Sequence, residues 1–209
     1  ITTQDYFNSD PSRFVEISNI SRTYFTNGSE TIYLLDPDSN IIDEFNYSEE
    51  MHFELIDDPS GVSLEKINPQ GSSMDQMLWH SASENSSWGS PGLPNSQLYN
   101  TSLSTDFFVV ETKVFSPDND GFEDIAVFSY NLTSFGFVGS LFIYDNLGRL
   151  IKVVLNNELL GNNGTATWDG ANEQGQKAGV GIYLVYFEYF NASGEVNSFK
   201  KSITLKTRF

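Results

Sequence analysis

V-F-S-P-D-N-D-G-F-E-D-I, residues 114–125, is where this sequence changes character. Ahead of it the chain is strongly acidic and broken by Ser, Asn and Pro. After it come regular apolar runs separated by clear turn signals. Four carboxylates, Asp118, Asp120, Glu123 and Asp124, fall within seven residues around Gly121. A loop of this kind turns the chain into a new domain or holds a hard cation.

In the C-terminal half of the chain, residues 107–115 read as one strand and residues 125–130 as the next. Residues 139–144 and 149–155 flank Asp145-Asn146-Leu147-Gly148, a four-residue hairpin signal. Residues 164–168 form a strand ending in Trp168-Asp169-Gly170, followed by a polar loop over 172–179. Residues 181–190, G-I-Y-L-V-Y-F-E-Y-F, are apolar on both faces, as expected of a central strand. In residues 199–205, Phe199, Ile203 and Leu205 share one face, and Lys200, Ser202 and Thr204 the other. Seven strands in about 100 residues predict a β-sandwich.

On the N-terminal side, residues 14–18 are a short strand candidate and Asn27-Gly28 a turn signal. Residues 31–35 form a clear strand, closed by Asp36-Pro37-Asp38-Ser39-Asn40. Residues 41–47 alternate, with Ile41, Asp43, Phe45 and Tyr47 on one face, so the two runs predict a hairpin with a five-residue loop. Residues 62–67 suggest another short strand. The stretch beyond it, including Trp79-His80-Ser81 and residues 89–95, has the small residues of a surface loop, and residues 98–105 read as a linker.

The 209 residues carry a net charge of −17, unevenly spread. Residues 1–100 hold 16 acidic and 3 basic side chains; residues 101–209 hold 12 and 8. Such a surface repels phosphate backbones, which argues against nucleic acid as a partner and suits divalent cations. The absence of cysteine excludes thiol catalysis, disulfides and thiolate metal sites. No run approaches the length of a membrane-spanning helix. A start at Ile1 rather than Met points to a processed protein or the C-terminal part of a longer one.

The order L-L-D-x-x-x-N-I-I-D-E-F-x-Y, G-V-S-L-E-K-I, W-H-S-A-S and G-S-P-G-x-P-N-S, spread over residues 14–97, resembles the lamin-tail domain of secreted bacterial proteins of the Bacteroidota type. That resemblance implies an immunoglobulin-like sandwich used as an accessory module, with no catalytic residues to carry over. The family's opening strands have no evident counterpart here, so this first sandwich is expected to be short on its N-terminal side. An open sheet edge follows, and with it a protein partner near residues 14–35.

Residues 110–206 resemble a second family. F-S-P-D-N-D-G-F-E-D, L-F-I-Y-D-N-L-G-R-L, W-D-G-A-N-E-Q-G and G-V-G-I-Y-L-V are similar to the immunoglobulin-like domain of the flagellar hook-assembly protein. They are also similar to C-terminal domains of gliding-associated and type IX secreted proteins. Here Asp118-Asn119-Asp120-Gly121 is more acidic than that family's N-G-D-G form. The implied role is sorting or attachment read by outer-membrane machinery, which a basic tail (Lys200, Lys201, Lys206, Arg208) suits. Together the readings predict an all-β chain of two tandem immunoglobulin-like β-sandwich domains, 1–100 and 101–209.

Among candidate sites, Asp118, Asp120 and Asp124 are the set for Ca²⁺, which takes six to eight oxygens. The spacing is not that of an EF-hand, because Phe122 and Ser129 fall where ligands belong. The favoured alternative is that these side chains cap turn amides, and no cofactor is required. His52, His80 and Ser81 fail as a hydrolytic set, since neighbours on a strand point to opposite faces; His80 is expected to fill a sandwich end beside Trp79. Asp57-Asp58 reads as a turn rather than a glycosidase pair. Trp168 reads as core, leaving Trp88 as the exposed platform for a ligand. The eight Asn-x-Ser/Thr sequons, Asn27, Asn131 and Asn163 among them, follow from an Asn- and Ser-rich composition.

The expectation is therefore a non-enzymatic structural or attachment part of a protein secreted by, or held at the surface or outer membrane of, a Gram-negative bacterium. Its last domain would serve type IX secretion sorting, anchoring or protein contact. The alternative is a module that binds polysaccharide or a cell surface.

Overall fold

The computed structural model describes residues 25–26, 28–98, 105 and 107–207. The strand read at 14–18, Asn27, most of the linker and Arg208 lie outside the described residues. The chain is all-β, and it divides into two units, Ile1–Tyr99 and Asn100–Phe209. No helix among the described residues is long and apolar enough to cross a membrane.

In the first unit, β1 (Ser29–Leu35) and β2 (Ile41–Ser48) pair antiparallel across the five-residue loop read from sequence. Asp36 closes that loop. Its Oδ1 accepts the amides of Asp38 (2.9 Å) and Asn40 (2.8 Å), and its Oδ2 accepts the Asn40 side chain at 2.9 Å. Ser39 takes a positive φ of 67°. A second pair, β3 (Leu64–Lys66) and β4 (Trp79–Ser81), is shorter than the six-residue run suggests.

Phe45, on the β2 face predicted to be shared with Asp43, stacks on Trp79 with ring centroids 3.8 Å apart. Asp43 accepts the Ser73 hydroxyl at 2.6 Å, and Ser73 receives Lys66 Nζ at 2.9 Å. That hydroxyl, helped by Lys66, holds the Asp43 carboxyl below the ordinary carboxylate range. The buried apolar residues described in this unit are Ile67 and Ala82, whereas Glu65, Ser73, Ser81, Ser83, Ser90 and Gln97 are buried polar groups. Among the described residues, buried polar groups outnumber buried apolar ones in this unit.

The second unit is a sandwich of two sheets. Its strands are β5 (Phe107–Val110), β6 (Val114–Phe115), β7 (Ala126–Asn131), β8 (Phe137–Tyr144), β9 (Leu150–Leu159), β10 (Asn163–Trp168), β11 (Gly181–Asn191) and β12 (Val196–Leu205). One sheet runs β10-β7-β5, the other β6-β12-β11-β8-β9. The sequence reading of one strand over 107–115 is corrected here, and among the described residues of this unit eight strands replace the expected seven. At Glu111–Lys113 the chain leaves the first sheet and joins the second, where β6 lies parallel to β12. Such a switch of sheets is a corner device of sandwiches.

Inward residues of β11 build the core. Phe187 lies 4.9 Å from Phe108 and 5.4 Å from Tyr130, ring centroid to ring centroid, joining the two sheets. β11 sits in the middle of its sheet, yet its second apolar face is not covered within the described unit. Ile182 and Leu184 are exposed there, and Tyr186 packs beside Phe142 under Lys200.

Candidate functional site

The loop between β6 and β7 brings three predicted side chains together. Single carboxylate oxygens of Asp118, Asp120 and Asp124 all lie within 4.8 Å of one another. The loop needs left-handed backbone at Asn119, Gly121 and Glu123 (φ 61°, 87° and 52°), and glycine adopts that region at no steric cost. The carboxylates hold this shape. Asp124 accepts the amide of Asn119 through Oδ1 at 2.6 Å and that of Gly121 through Oδ2 at 2.7 Å. Asp120 accepts from Phe122 at 2.9 Å, and Asp118 from Asp120 at 3.3 Å. Asp118 and Asp120 are exposed, and their carboxylates are the groups of this loop that solvent, and so a hard cation, can reach. Glu123 stands apart, 3.6 Å from Lys206 Nζ.

The other loops at this end of the sandwich use the same device. Asp145 accepts from the amides of Leu147 and Arg149, both at 2.9 Å, and pairs with Arg149 Nε at 2.7 Å. The Arg149 amide and guanidinium keep the Asp145 carboxyl below its ordinary range. Asn172 accepts from Gln174 at 3.0 Å and Gln176 at 2.9 Å. Glu173 reaches the Val153 amide, and Trp168 donates its indole N–H to Ala171 O at 2.8 Å. Lys177 Nζ donates to Pro117 O at 2.9 Å, tying the 172–179 loop to the acidic loop. Gly170 allows that approach, because a Cβ there would stand 2.9 Å from Pro117 and 3.0 Å from Leu205. Composition flags these Asp and Asn residues as turn formers; the Lys177 tie links residues 60 positions apart and has no local signal.

In the first unit, His52 rather than His80 meets Ser81. His52 Nδ1 lies 3.0 Å from Ser81 Oγ, which also accepts the Phe53 amide at 2.9 Å. Ser81 is 1% exposed, so its oxygen is a tie between strand and turn rather than an accessible nucleophile. Burial lowers the His52 imidazole below its usual pKa, against an opposing pull from Glu49. His52 lines a cleft of about 290 Å³ with Tyr47, Glu49 and Val62. Asp58 caps the Ser60 amide at 2.9 Å, in the manner of a turn. Trp168 is buried at the sandwich pole against Phe115 and Tyr183. Trp88 is half-buried, with a positive φ of 61° and its carbonyl on the Ser63 amide.

Sequence reasoning missed Glu65. It lies buried on β3, where Oε1 accepts the Ser90 hydroxyl and Oε2 accepts both the amide and the hydroxyl of Ser96, each at 2.7 Å. Asn95 adds a bond to Lys66 O at 2.8 Å. The Gly-, Ser- and Pro-rich run 89–97 is thus the cover of a buried carboxylate, which a surface-loop composition does not announce.

No protein-family model and no curated protein matches the chain. Among solved structures it is similar to dimeric latent PorU from Porphyromonas gingivalis, with 20% identity over 51% of this chain and 10% of that one and a TM-score of 0.38. It is also similar to PorZ, a surface component of the type IX secretion system of the same organism (16% identity, 47% and 11% covered, TM-score 0.31). A third is FlgD from Xanthomonas campestris, described in connection with hook capping (18% identity, 49% and 70% covered, TM-score 0.35). This chain therefore spans about a tenth of the PorU chain it matches. Likenesses of this size assign no function.

Proposed function

We propose that residues 100–209 are a non-enzymatic attachment and sorting module of a protein secreted by, or displayed on, a Gram-negative bacterium, of the kind used in type IX secretion. Residues 1–99 are an accessory unit of lamin-tail type beside it. One observation carries this reading: side chains of three of the four resembled motifs are engaged in holding loops. Asp124, Asp145, Trp168 and Asn172 all bond main-chain groups at one pole of the sandwich. Motifs that stabilise a surface rather than line a reaction cleft suit a domain that is recognised by other proteins.

The test is a fusion. A periplasmic reporter is extended with residues 100–209 in a bacterium that carries type IX machinery, and reporter on the cell surface and in the medium is measured. The fusion is expected to leave the periplasm, and a Gly170→Arg version, which breaks the pole, is expected to stay behind. Equal distribution of tagged and untagged reporter would overturn the reading.

A further inference from the structure

We propose that copies of this chain associate head to tail, the acidic β1–β2 hairpin of one copy seating on the lysine-bearing free edge of β12 in the next. The inference is independent of the sorting role.

The hairpin is the donor. Its distal half exposes large apolar side chains on both faces, Leu34 at 58% on one and Ile42 at 62% on the other. Among the described residues neither β1 nor β2 has a third strand beside it, and two-stranded hairpins are marginal by themselves. Residues 28–50 hold seven carboxylates and no Lys or Arg. Whatever covers this hairpin must offer apolar contact and positive charge.

The β12 edge offers both. β11 pairs β12 along its length, but β6 covers the opposite edge only at Thr204 and Leu205. Residues 196–203 therefore present unpaired backbone groups among the described residues. This stretch carries Lys200 and Lys201, with Val196 exposed and Phe199 half-buried. Lys113 adjoins it, its carbonyl accepting the Thr204 amide at 2.9 Å. Among the described ion pairs none engages Lys113, Lys200 or Lys201. Lysines on a free edge deter pairing with strands in general, but they admit an acidic one, since complementary charge steers and selects. The chain's charge asymmetry places donor and acceptor at different sites, so the contact is heterologous and leaves each bound copy one free end.

The test is sedimentation velocity of the full chain over a range of concentrations. At low ionic strength the mass is expected to rise above the 23.4 kDa monomer without stopping at a dimer. In about 0.5 M salt, where screening shortens to a few ångströms, it should return to monomer. Leu34→Asp with Ile42→Asp, and separately Lys200→Glu with Lys201→Glu, should each leave monomers with unchanged circular dichroism. Mixing the two variants is the decisive arm: each keeps one intact half, so they should form a 1:1 dimer that grows no further. A single monomeric species at every concentration, or self-association that persists in either variant, would overturn the proposal, as would no dimer on mixing.

Discussion

Glu65 Oε2 accepts the backbone amide and the side-chain hydroxyl of Ser96 together, both at 2.7 Å. A buried carboxylate satisfied this way ties the 89–97 run to β3. Removing it leaves the buried Ser90 hydroxyl and the half-buried Ser96 donors without this acceptor. Glu65→Ala is expected to destabilise the first unit by about 3 kcal/mol, and Glu65→Gln by about 1 kcal/mol, because the amide keeps one acceptor. Denaturant unfolding of both variants checks the order; equal losses would contradict the donor count.

Acidification should weaken the same unit. His52 and His80 both sit below the ordinary histidine value of 6.5, each chiefly through burial. The unfolded chain then binds protons that the folded chain does not, so stability rises with pH through that window. It is fully present above 6.5 and is lost as pH falls toward the depressed values. Melting temperature from pH 7.5 down to pH 5 should drop more for the parent than for His52→Gln, which cannot titrate.

Gly170→Ala should be costly, because Gly170 is buried at the pole of the sandwich. Its φ is +77°, and the added Cβ would meet Pro117, Leu205 and Phe115. Backbone strain and overpacking together predict a loss of about 2–3 kcal/mol in the second unit. Gly175→Ala shares the positive φ but meets nothing within 4 Å, so it is expected to lose only about 1 kcal/mol. The difference between the two isolates the packing at the pole.

The acidic loop separates capping from cation binding. Asp124→Ala forfeits two amide bonds and is expected to lower stability by about 2 kcal/mol in EDTA, where no cation contributes. With Asp124 committed to the loop, exchanging EDTA for millimolar Ca²⁺ is expected to move the melting temperature by less than about 1 °C. A rise of several degrees that Asp120→Ala abolishes would make the loop a cation site instead.

The turns and strands were legible because their signals are local. Asp36 and Asp145 announce loops that their own carboxylates close two and four residues on. Period-two alternation placed Asp43 and Phe45 on one face, where Ser73 and Trp79 meet them. The break between β5 and β6 left no mark, since Glu111–Lys113 contains neither Gly nor Pro; the partners β7 and β12 decide it. The pairing of Ser81 with His52, 29 positions away, and of Glu65 with Ser96, 31 away, depends on long-range placement for the same reason.

The parallel pairing of β6 with β12 has a mechanical consequence. Thr204 N–H reaches Lys113 O and Lys206 N–H reaches Phe115 O, both at 2.9 Å. Tension applied through residue 107 and residue 207 loads β5 against β7 first and then pulls β6 and β12 past each other along their axes. Bonds across the pair are then loaded in shear and must fail together, rather than opening singly like a zip. Forced unfolding is governed by the unfolding barrier rather than by equilibrium stability. Under load the grip of this unit would be set by the short β5–β7 and β6–β12 seams that its ends pass through, not by the size of its core.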